Sequence, residues 1–153
     1  MSRLEQQLSA RGLILPTVSA PAANYVPYTI SGNMVFLSGT LPIMDGKPAF
    51  IGKLGDNFTI EQGQETARCC VLNILAHLKN ALDGDLDRVK RVIRLGVFVN
   101  ATPDFIDHPK VANGASDLMV ELFGDTGRHA RFAVGVSGLP FGVAVEVDAT
   151  FEI

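Results

Sequence analysis

The sequence predicts an α+β domain, one mixed sheet with two helices packed on one of its faces. Three observations carry this. Strand-like alternation fills both ends of the chain, in "YVPYTISGNMVFLSGTLP" and "HARFAVGVSGLPFGVAVEVDATFEI". Two long apolar sets at helical spacing lie between them, and a single alternating run separates the two. The resulting order is β-β-α-β-α-β-β, with a hairpin at each end, an arrangement that places helices on one sheet face. No repeat period or linker divides the chain, so residues 1–153 read as one domain. A chain of this length buries about two-thirds of the surface it exposes when unfolded.

Each element has a local cause. Residues 2–11 suit a short amphipathic helix, with Leu4 and Leu8 on one face and Gly12 ending it. The segment "LPTVSAPAAN" follows as an extended connector, so residues 1–20 form an amino-terminal helix and connector. A first hairpin turns at Ser31-Gly32-Asn33-Met34. The stretch "DGKPAFIGKLG" reads as loop, with a short edge strand around Phe50. Thr59 or Asn57 can cap the longest helix, whose apolar set runs from Ala67 through Cys70, Val71, Ile74, Leu75 and Leu78 to Leu82; Gly84 stops it. In "VKRVIRLGVFVNA", Val89, Ile93, Leu95, Val97 and Val99 alternate as a strand. "HPKVANGASDLMVELFG" gives a second helix ending at Gly124.

Composition narrows the function. The chain is 47% hydrophobic and only 19% charged, below the usual charged share of a soluble domain. Covering apolar surface between subunits answers that balance, so an oligomer is expected. The net charge is −3, and no dense basic run appears, which argues against a nucleic-acid partner. Adjacent Cys69 and Cys70 sit on one predicted helix and fit core packing in a reducing compartment. Three histidines lack metal-ligand spacing, and no phosphate-cradling glycine loop occurs, so no metal or cofactor is expected. The amino terminus lacks the apolar core of a signal peptide and no stretch reaches membrane-spanning length; a cytoplasmic location is expected.

The last strands pose the sharpest question. With Pro140 and Phe141 as a two-residue turn, alternation places Phe132, Val134, Val136, Val143, Val145 and Val147 toward the helices. The opposite face then carries Arg131, Ala133, Gly135, Ser137, Ala144, Glu146 and Asp148. Small residues permit close approach by a backbone or a ligand. Two readings fit: a structural ion pair of Arg131 with Glu146 packed on a neighbouring subunit, or a site. For a site, a guanidinium suits a carboxylate, gripped through two parallel hydrogen bonds, and Glu146 could hold or deprotonate water. The readings coincide if the site lies between subunits.

At these residues the chain resembles the Rid family, also called the YjgF-like or reactive intermediate deaminase family. The closing signature stands here as "ARFAVGVSGLPFGVAVEV", and the first hairpin is similar in "APAANYVPYTISGNMVFLSGTLP". The segment "FVN" followed by "ANGASDLMVELFG" corresponds to the family's middle strand and second helix. The amino-terminal helix, the longer loop at residues 44–57 and the Asn-Gly-Ala-Ser stretch resemble a longer subgroup described as YjgF/chorismate-mutase-like endoribonucleases. The resemblance implies a chorismate-mutase-like fold and a homotrimer with three intersubunit clefts. It also implies hydrolysis of reactive 2-enamino and 2-imino acids to 2-oxo acids and ammonia. By matching position Arg131 clamps the substrate carboxylate and Glu146 holds water, while Tyr25, Ser38 and Asn113 fall on other pocket positions. Ala133 stands where some active members carry cysteine and would contribute through its backbone. The expected trimer is a barrel lined by the small-residue faces of the sheets. The same cleft could instead bind small carboxylates or a protein partner without turnover. The acidic balance argues against an endoribonuclease, and chorismate mutase rests on fold analogy alone.

Overall fold

The computed structural model describes residues 1–19 and 23–153. The part of the predicted connector at residues 20–22 lies outside the described residues. A short helix, α1 (Arg3–Ala10), opens the chain. Ser2 and Glu5 cap it reciprocally, and the Asp87 carboxylate accepts the Arg3 amide at 2.9 Å, placing negative charge at the helix start. Leu4 and Leu8 are its buried residues, one turn apart on the same face. Glu5 also pairs with Lys79, which, with the Ser2 amide, lowers its pKa to about 2.

Strands β1 (Tyr28–Ser31) and β2 (Met34–Thr40) form the expected first hairpin, with Ser31 opposite Met34. The middle loop differs from expectation. A miniature hairpin, β3 (Ile43–Met44) with β4 (Lys47–Pro48), turns through Asp45 and Gly46, both at positive φ. Phe50 lies outside any strand; the following residue, Ile51, makes one bridge to Val143. Helix α2 (Ile60–Ala81) starts at a Thr59/Gln62 capping box, as the spacing predicts. Helix α3 (His108–Phe123) ends at Gly124. Gly114 lets the two helices touch, since a Cβ there would run into the Gln64 backbone. The remaining strands are β5 (Arg91–Asn100), β6 (Ala130–Val136) and β7 (Val145–Glu152).

The sheet order is β1-β2-β7-β5-β6, and here the predicted closing hairpin fails. β7 lies centrally, antiparallel to both β2 and β5, while β6 is an edge strand parallel to β5. Residues 137–144 cross over the end of β5 instead of folding a two-residue turn. Pro140–Gly142 makes one tight turn with Phe141 and Gly142 at positive φ. Buried Asn100 ties the crossing down, donating through Nδ2 to the carbonyls of Gly52 and Val143, both at 3.1 Å. Burial explains the choice of strand. β7 contributes Val145, Val147, Ala149 and Phe151 to the core, whereas β6 offers Arg131, Ala133 and Gly135 on its core side and suits an edge.

Strand order also resets one face. In the β5–β6 ladder, Leu95 pairs with Arg131, Val97 with Ala133 and Val99 with Gly135. Leu95, Val97 and Val99 are wholly buried beneath the helices, so Arg131, Ala133 and Gly135 share the helix side. Phe132 and Val134 take the open side, reversing the predicted assignment for β6. On β7 the assignment holds: Glu146 and Asp148 pair with Phe98 and Gly96 on the open side. That face is therefore aromatic, with Phe36, Phe98 and Phe132 beside the carboxylates, not the expected small-residue lining. Phe98 and Phe132 meet edge to face at 5.3 Å, and Arg94 lies over the Phe132 ring.

Candidate functional site

The sequence-predicted residues fall into two groups separated by β5. The first surrounds Arg131 at the β6 edge. Its Nη1 donates to Asn113 Oδ1 at 2.8 Å and to Ser116 Oγ at 3.1 Å. Asn113 and Ser116 are three residues apart on α3, hence on one helix face, which lies along β6. Ala133 continues the strand on the same side, partly buried against the core. The Nε and Nη2 groups of Arg131 make no hydrogen bond to the described residues, leaving a two-pronged edge of the guanidinium free.

The second group gathers around β2. Tyr25, Ser38, Gly39, Thr40 and His77 line a cavity of about 220 Å³. Ser38 donates its hydroxyl to the Val26 carbonyl at 2.6 Å, which fixes the strand-leading segment beside Tyr25. Tyr25 itself is exposed. On the adjacent strand, Glu146 projects over Gly39; a side chain at residue 39 would collide with its carboxylate. Burial, then repulsion from Asp148, raises the Glu146 pKa. No described residue forms an ion pair or hydrogen bond with this carboxylate. The expected Arg131–Glu146 pair is absent within the protomer because the two side chains leave opposite faces of the sheet.

Two neighbours of Arg131 went unread in the sequence. Ser116 lies 2.9 Å from His129 Nε2, and His129 Nδ1 lies 2.6 Å from the Gly127 carbonyl. Helical spacing from Asn113 could have pointed to Ser116. His129, two residues before Arg131, had no such signal.

Among the described residues no group of three or more His, Cys, Asp or Glu is placed to hold a metal, and no helix is long and apolar enough to cross a membrane. The sequence profile of a family described as "YjgF/chorismate mutase-like, putative endoribonuclease" matches residues 5–148. The chain belongs to this YjgF-like family. It is 51% identical to Protein TCP17 of Trypanosoma cruzi over 152 residues, covering 99% of this chain and 94% of that protein. Among solved structures, a protein of unknown function from Agrobacterium tumefaciens aligns at a TM-score of 0.91 and 45% identity, over 98% of this chain and 91% of that one. A protein from Shewanella oneidensis described as "a putative endoribonuclease" aligns at 0.94 and 39%, over 98% and 99%. RidA from an Antarctic Psychrobacter shares the fold at 0.58 and 23% identity, over 88% and 92%. The YjgF-like chain thus has the mixed-sheet α+β fold of that family.

Proposed function

We propose that this protein is a cytoplasmic, homotrimeric hydrolase that converts 2-imino and 2-enamino acids to 2-oxo acids and ammonia. The observation that carries this reading is the free Nε/Nη2 edge of Arg131, held in place by Asn113 and Ser116. A planar fork of this kind matches a carboxylate. The half-site at Glu146, Ser38 and Tyr25 belongs to the neighbouring subunit in this arrangement. A head-to-tail ring joins different patches of successive subunits, so one subunit's β6 edge can meet the next subunit's open face.

The chemistry follows from the groups. Arg131 grips the carboxylate of the imino acid. Glu146 accepts a proton from water as the oxygen attacks the imine carbon and the C=N π pair moves onto nitrogen, and it returns that proton to the nitrogen. It then carries the hydroxyl proton of the resulting carbinolamine to the same nitrogen as C=O forms, the C–N bond breaks and ammonia leaves. A raised pKa moves Glu146 toward the pH at which one group can do both. The endoribonuclease of the family description fits poorly with a net charge of −3, because phosphate neutralisation supplies most non-specific affinity for nucleic acid.

The test couples an amino-acid oxidase, which supplies imines, to release of 2-oxo acid across a panel of side chains. Wild type should accelerate release, and Arg131→Ala should reduce it at least 100-fold, the scale of a lost positioning clamp. Equal inactivity of wild type and Arg131→Ala would overturn the reading. Arg131-dependent binding of 2-oxobutyrate, without turnover of any imine, would make the cleft a carboxylate-binding module instead.

A further inference from the structure

The hydrogen bonds around Arg131 continue past the clamp into an arrangement that imine hydrolysis does not use. The Gly127 carbonyl lies 2.6 Å from His129 Nδ1, so that nitrogen carries the proton, as a carbonyl can only accept. Nε2 is then the unprotonated nitrogen, and the Ser116 hydroxyl, 2.9 Å away, donates to it. Ser116 Oγ in turn accepts from Arg131 Nη1 at 3.1 Å. A serine is thus hydrogen-bonded to a histidine base, the base is oriented by a third group, and a fixed cation stands beside the serine oxygen. This is the geometry that activates a hydroxyl nucleophile. The guanidinium favours the alkoxide, and burial lowers the His129 pKa, outweighing the Gly127 hydrogen bond that raises it, with the adjacent Arg131 charge lowering it further. Ser116 is half-buried, and Asn113 and Arg131, on either side of it, are exposed.

We infer that Ser116 and His129 form an acyl-transfer site whose substrates are small esters or thioesters bearing a free carboxylate. The Nε/Nη2 edge of Arg131 takes the carboxylate, and Asn113 Nδ2, which bonds to no described residue, can donate to the carbonyl oxygen. Ser116 Oγ attacks the acyl carbon while its proton passes to His129 Nε2. The carbonyl π electrons move onto oxygen, then return and expel the alcohol or thiol, which takes the proton from Nε2. Water, deprotonated by the same nitrogen, attacks the acyl-serine; the second tetrahedral species collapses to the carboxylic acid, and the Ser116 oxygen leaves with the proton held by His129. The site shares Arg131 with the imine reading but does not require imine turnover.

The probe is mono-4-nitrophenyl adipate, an ester whose free carboxylate is too far along the chain to displace nitrophenolate by itself, set against 4-nitrophenyl hexanoate. Wild-type protein should release a burst of nitrophenolate approaching one per subunit, with an adipoyl group mapped by mass spectrometry to Ser116. The adipate ester should react about 10-fold faster than the hexanoate, and Arg131→Ala should erase that preference. His129→Gln should slow acylation about 100-fold, and the wild-type rate should fall on acidification as His129 takes up a proton, at a pH lower than for an ordinary histidine. Absence of an adduct at Ser116, or an adduct confined to other residues, would overturn the inference whether or not imines are hydrolysed. Because the deciding result is the wild-type adduct, it does not depend on any variant folding.

Discussion

Glu146 is held at a thermodynamic disadvantage. Its folded-state pKa is raised above 4.5, first by burial and then by Asp148. A raised acid favours folding below its unfolded pKa, and that contribution is lost as pH rises through the folded value. At neutral pH the ionised carboxylate therefore costs stability within the protomer. Glu146→Gln should raise stability at pH 7 by roughly 0.5 kcal/mol, a small figure because solvent screens a half-exposed group. The gain should vanish below about pH 4 while imine hydrolysis is lost at all pH values. Denaturant melts at pH 4 and 7, alongside the coupled assay, check both parts. A variant less stable than wild type at pH 7 would show that the neighbouring subunit's cation in the proposed trimer more than offsets the burial of the Glu146 carboxylate. Arg131 stood out in the sequence because a charge on an apolar strand is conspicuous. Its supporting residues did not, since Ser116 and His129 acquire meaning only when α3 packs along β6.

At the scale of elements, what was legible depended on whether the signal was local. The three helices could be read because 3.6-residue spacing lies within each segment, with capping boxes opening α1 and α2 and Gly124 ending α3. β6 and β7 could be read as strands but not as neighbours. Alternation looks the same in two paired strands and in two strands separated by a third, and eight residues, 137–144, suffice either for a hairpin loop or for a crossing. One misplaced strand inverted the face assigned to Arg131, because β6 takes its face from its register with β5. The amino-terminal helix offers a test at the same scale. The Glu5 pKa of about 2 lies below its ordinary 4.5, so its stabilising contribution is present above pH 4.5 and is lost as pH falls through 2. Glu5→Ala removes both the Lys79 pair and half of the cap, and should cost about 0.5–1 kcal/mol. Hydrogen exchange at residues 3–10 should quicken in this variant while α2 amides stay protected. Unchanged exchange would show that burial of Leu4 and Leu8 alone holds α1.

For the whole molecule, the low charge content has a visible counterpart. The helix-free side of the sheet leaves Phe36 45% exposed and Val134 42% exposed, near Phe98 and Phe132. An open antiparallel face can meet water, but an aromatic one is better covered by another subunit. Neighbouring copies supply that cover in the proposed trimer, in which Arg131 of one subunit completes the Glu146 half-site of the next. A mixed ring tests this most directly. Arg131→Ala and Glu146→Gln, each inactive alone, are unfolded together and refolded at equal ratio, with light scattering confirming trimers. If every site draws its arginine and its glutamate from different subunits, random mixing leaves about one site in four intact. Recovery of about a quarter of wild-type imine hydrolysis is the expected result. Mixed trimers with no more activity than the separate variants would place both residues in one subunit's site and contradict the shared cleft.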